Sequence, residues 1–174
     1  MTARTNSRVA GVTFLVYIAA GITSLALSGR THATDVLSLV TSFSALVLGV
    51  TLYAITRDQD PDLALLGLIC RVVEGVPGNG RSAVYFAVGS TIFCWLLLSG
   101  RMIPAALAVL GVSASALLVA LLVVQRAGLF GAAVSWYSGV TWLVWLPMLV
   151  FEVTFGLLLV VKGVGEPSSH MRAA

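Results

Sequence analysis

Apolar residues run in long blocks separated by short polar breaks, and that pattern predicts the elements. A helix needs about 20 mostly apolar residues to cross a hydrocarbon core of ~30 Å. The stretches 9–28, 36–56, 83–99, 102–124 and 141–161 meet or approach that length. The stretch 63–76 is apolar but short, carries Arg71 and Glu74, and runs into the chain-breaking Pro77-Gly78-Asn79-Gly80. Arg57-Asp58-Gln59-Asp60-Pro61-Asp62 forms a polar turn before it, and Gly100-Arg101 divides the fourth block from the fifth. Residues 127–140, rich in Gly, Ser, Trp and Tyr, lie at the interface or re-enter. The expected fold is all-α: one integral membrane domain over 1–174, a polytopic transmembrane bundle of about six helices. Whether 63–76 crosses fully is left open.

The first block resembles a cleavable signal, with Arg4 and Arg8 before it and Ala26-Leu27-Ser28 at its end. It is longer than the usual apolar core of such signals, so it reads as a retained helix. An even number of helices puts both ends on one side. With the ends inside, the inner segments hold Arg4, Arg8, Arg57, Arg101, Lys162 and Arg172, against Arg30, Arg81 and Arg126 outside. The positive-inside rule then predicts cytoplasmic termini, in a bacterial cytoplasmic membrane.

Composition agrees with the pattern. The 174 residues are 59% hydrophobic and 10% charged, with a mean hydropathy of +1.02. Soluble domains are roughly 45–50% apolar and about 25% charged, which excludes a water-soluble globule. The net charge of +3 is scattered over the loops, so no nucleic-acid partner is expected. Cys70 and Cys94 fall in different blocks without a Cys-x-x-Cys or Cys/His cluster. They read as small hydrophobes, and no metal or cofactor is expected. Gly11, Gly21, Ser42, Gly49, Gly89, Gly111 and Ser115 predict close helix packing. His32 and His170 read as solvated, as do Asp58, Asp60 and Asp62, where a cation site is the less favoured reading.

Three ionisable groups remain at membrane depth, where each is costly unless paired or neutralised. Arg71 and Glu74 are three apart, share a helix face and can pair. Glu152 lies mid-way along the last block, and the nearest charge on that helix, Lys162, is about 15 Å further along. Helical spacing puts Trp145, Met148, Leu149, Phe155 and Gly156 on or beside the face of Glu152, with Trp142 a turn earlier. Pro147 frees a backbone carbonyl and predicts a kink that opens a cavity. If the third and sixth helices meet, one guanidinium faces two carboxylates. One acid is then left without a cation and is expected to hold its proton. Trp136 and Tyr137 read as an interfacial belt, whereas Trp142, Trp145, Met148, Phe155 and Tyr85 are the candidate pocket lining.

Four strings carry a resemblance: Arg8-Val9-Ala10-Gly11, Cys70-Arg71-Val72-Val73-Glu74, Arg101-Met102-Ile103-Pro104 with Gly111 beyond, and Phe151-Glu152-Val153-Thr154-Phe155-Gly156 running into Val161-Lys162-Gly163. The chain resembles a bacterial family of small multi-spanning membrane proteins catalogued as a domain of unknown function. It departs from that family by being short between Glu74 and Tyr85. In size and plan it is also similar to small membrane-bound terpene cyclases of actinobacterial pathways. That likeness implies an acid-initiated cyclase with Glu152 or Glu74 as the proton donor. Arg71 would decide which of the two holds the proton, and Trp142, Trp145 and Phe155 would steady a cation. The partner would be a lipophilic prenyl substrate entering from the bilayer, among membrane lipids. The competing readings are a non-catalytic module that binds a lipid or pigment or supports a partner complex, and a proton-coupled transporter. The last lacks an inverted repeat and would need a homo-oligomer.

Overall fold

The computed structural model describes residues 3–27, 31–76, 81–128 and 139–165. Six helices follow the apolar blocks: α1 (Ala3–Ala26), α2 (Thr31–Thr56), α3 (Pro61–Glu74), α4 (Ser82–Ser99), α5 (Ala105–Arg126) and α6 (Gly139–Val161). All except α3 are long and apolar enough to cross a membrane. The protein is therefore a helical membrane bundle, as the hydropathy pattern requires. Trp136, Tyr137, His170 and most of the stretch 127–140 lie outside the described residues.

Local chemistry sets where the helices start and stop. Asp60 caps α3, its carboxylate accepting from the N–H groups of Asp62 at 3.1 Å and Leu63 at 2.9 Å. Pro61 occupies the first turn, where a missing N–H costs nothing. Asp60 thus has a structural use, while Asp58 pairs with Arg57 at 4.0 Å on the surface. At 14 residues α3 is about 21 Å long, too short to cross the hydrocarbon core alone. That resolves the question of 63–76. α4 ends where Met102 N–H reaches back to the Leu97 carbonyl at 3.0 Å, with Arg101 in the left-handed region at φ 51°. α2 begins earlier than hydropathy suggests and takes an exposed His32 into its first turn.

Each helix packs on its neighbours in sequence, and α1 also packs on α6, closing a ring; α2 and α4 touch across the short α3. Gly163, just beyond α6, approaches Ser7 of α1, and Gly165 N–H donates to the Met102 carbonyl at 2.8 Å. The start of α1, the α4–α5 turn and the end of α6 therefore share one end of the bundle. Small residues permit the tightest approaches. A Cβ on Gly11 would come within 2.7 Å of the Gly156 carbonyl oxygen, and one on Gly111 within 2.7 Å of the Cys94 sulfur. Gly21 corrects the packing expectation, because nothing lies within 4 Å of where its Cβ would be. Helices α1 and α6 touch through Gly11 and Gly156 but leave space beside Gly21. Phe14, Leu48, Leu52, Leu97, Phe151 and Phe155 belong to the core and pack the bundle towards the end shared by the termini.

Candidate functional site

At the opposite end the ring is hollow. A partly open cavity of about 420 Å³ lies between α1, α2, the end of α3, the start of α4 and the first half of α6. Its volume falls in the ~300–1,000 Å³ range of small-molecule pockets. α3 stops at Glu74 and contributes no helical side chains beyond that point, and Gly21 adds none of its own. Most of the lining is apolar. Ile22, Leu25 and Trp142 are about half exposed at the rim. Ser24, Ser38, Thr41 and Ser82 add hydroxyls.

The two carboxylates of the sequence reading both line this cavity, although α3 and α6 do not pack on each other among the described residues. Their surroundings differ. Glu74 accepts from Arg71 Nη1 at 2.9 Å on one oxygen and from the Tyr17 hydroxyl at 2.7 Å on the other. Arg71, fully enclosed, also donates from Nη2 to the Ser90 hydroxyl at 3.0 Å, and its Cζ lies 5.0 Å from the centre of the Phe86 ring. The guanidinium charge is thereby neutralised and held by α3, α4 and α1 together. Arg71 Nε finds no acceptor among the described residues. Glu152 is only 5% exposed, and its Oε1 has no hydrogen-bond partner among the described residues. A buried polar atom without a partner loses about 1–3 kcal/mol relative to one that has it, and Oε1 carries that cost in an enclosed position.

Aromatic rings connect the two acids. Tyr17 stacks on Phe86 with ring centres 6.2 Å apart, and Phe86 stacks on Trp145 at 5.8 Å. Trp142, Trp145, Met148, Leu149 and Glu152 all line the cavity, as the helical spacing around Glu152 predicts. Two expected lining residues do not. Phe155 lies one turn beyond Glu152, where α1 and α6 have come together, and packs edge-on against Phe14 at 5.5 Å. Tyr85 is not part of the cavity wall; its neighbour Phe86 is. Arg71 acts behind the wall through Glu74 and does not line the cavity itself.

Tyr17, Phe86 and Ser90 complete the site and were not singled out by the sequence pattern. Tyr17 left a trace there, since a phenol placed inside an apolar span needs a partner for its hydroxyl. Comparison of the chain with family models, curated proteins and solved structures finds no match.

Proposed function

We propose that the chain is a membrane-embedded enzyme in which Glu152 protonates a lipophilic prenyl or terpenoid substrate and so starts a cyclisation. The observation that carries this reading is the unequal state of the two cavity carboxylates. Glu74 is committed to Arg71 and Tyr17, whereas Glu152 lines the cavity and makes no ion pair among the described residues. A carboxyl group enclosed among apolar side chains is costly to ionise, and in its neutral form it can donate a proton.

The proton would pass from Glu152 to a terminal alkene carbon, leaving a carboxylate and a tertiary carbocation. The π electrons of a second double bond would then close the ring, and loss of a proton from the product cation would regenerate the acid. The net reaction is an isomerisation of unchanged mass. Faces of Trp142, Trp145, Phe86 and Tyr17 offer negative charge density to the cation. Arg71 would hold Glu74 in place through their ion pair, leaving Glu152 as the donor. The rim at Ile22, Leu25 and Trp142 suits entry of an apolar chain from the bilayer, and cytoplasmic termini in a bacterial cytoplasmic membrane complete the proposal.

The test presents membranes containing the protein with farnesyl-bearing acceptors and their epoxides, followed by mass spectrometry and NMR. A cyclised isomer formed by the parent and lost in a folded Glu152→Gln variant is the expected result. Equal turnover by that variant would overturn the assignment. A bound lipid recovered unchanged from parent and variant alike would favour the binding-module reading.

A further inference from the structure

Among the described residues, Glu152 gives the cavity a surplus of one acid over one base. Arg71 and Glu74 cancel at 2.9 Å, so when Glu152 is ionised the described cavity carries one negative charge. That charge sits among the rings of Tyr17, Phe86, Trp142 and Trp145, whose faces attract cations. The Glu152 carboxyl group, which lines the cavity and whose enclosed Oε1 has no hydrogen-bond partner among the described residues, suits a hydrogen-bond donor, and the rest of the lining calls for alkyl groups. Neutral hydrocarbons answer only the last of these demands, and anionic amphiphiles oppose the first. A protonated tertiary amine on an alkyl chain answers all of them, with one positive charge, one N–H donor and an apolar body.

We infer that the cavity is a binding site for lipophilic amines in their ammonium form, held by an ion pair to Glu152 and by the faces of the surrounding rings. Binding exchanges one cation for another: the ammonium N–H takes the place of the proton on the carboxyl group, and that proton leaves to solvent. The inference deepens the site described above and rests on Glu152 as its functional group. It needs no turnover, so the two readings can fail separately.

The probe is tritiated N,N-dimethyldodecylamine, with 2-methyltetradecane as its uncharged isostere, on the full chain in nanodiscs and against empty nanodiscs. The parent should show saturable amine binding, and Glu152→Gln should weaken it at least tenfold. The isostere should bind at least tenfold more weakly than the amine, and equally to parent and variant. A Glu152→Asp variant, which keeps the charge, should retain more binding than Glu152→Gln and guards against a folding defect. Equal amine affinity in parent and a folded Glu152→Gln variant would overturn the inference, as would an isostere that binds as tightly as the amine. Amine binding lost in Glu152→Gln, together with equal turnover by parent and variant, would leave this inference standing and remove Glu152 as the proton donor. Product formation without amine discrimination would do the reverse.

Discussion

Glu74 and Glu152 are the same side chain with different structural obligations, and the difference is measurable as stability. Glu74 neutralises a cation that is 1% exposed. Removing one partner of a buried ion pair strands the other, at a cost of about 3–5 kcal/mol. Glu74→Gln should therefore lower the unfolding free energy of the purified protein by about that much. Glu152→Gln, which breaks no ion pair among the described residues, should change it by less than about 1 kcal/mol. Unfolding of both variants in detergent, followed by circular dichroism, checks the contrast; equal losses would mean that Glu152 has a structural partner after all. Arg71, Glu74 and Glu152 were legible because charges inside apolar blocks are rare and costly. The bond between Tyr17 and Glu74 spans 57 positions, and no local pattern encodes it. Naming Tyr85 where Phe86 belongs is an error of one residue, but one residue turns a helix by about 100°.

The helices themselves were readable almost end to end, because a membrane-crossing length leaves few alternatives. What hydropathy does not encode is how far apart two helices stand along their length. α1 shows this through two glycines that look alike in sequence. Gly11 faces backbone of α6 and Gly21 faces open space. Gly11→Ala should destabilise the bundle by about 1–3 kcal/mol, since the obstructing Gly156 oxygen is backbone and cannot rotate away. Gly21→Leu should leave stability unchanged or raise it by up to about 1 kcal/mol through helix propensity, while filling part of the cavity. Thermal unfolding measures the first effect, and ligand occupancy combined with thermal unfolding measures the second. If Gly21→Leu destabilised as much as Gly11→Ala, the splay of α1 from α6 would be refuted.

At the scale of the molecule, the closed ring places the start of α1 and the end of α6 together, which the even helix count anticipated. Arg4, Arg8, Arg57, Arg101 and Lys162 lie in or beside the segments at that end, with Arg81 and Arg126 towards the other. Reporter domains fused to either terminus should both fold and function only on the cytoplasmic side; a split result would contradict the arrangement. The cavity was only partly legible. Pro147 and the spacing around Glu152 pointed to a space beside α6, but its other walls come from α1, α2, α3 and α4, joined through tertiary packing.

The shortness of α3 also makes the protein asymmetric across the bilayer. Its missing turns lie entirely at the end away from the termini, where the cavity is, while the other end is packed solid with Phe14, Leu97, Phe151 and Phe155. The half-exposed rim at Ile22, Leu25 and Trp142 opens the cavity at the end of the bundle away from the termini. On the proposed reading, supply to Glu152 would then depend on the leaflet in which an amphiphile resides and on how often it flips, as well as on its affinity for the site.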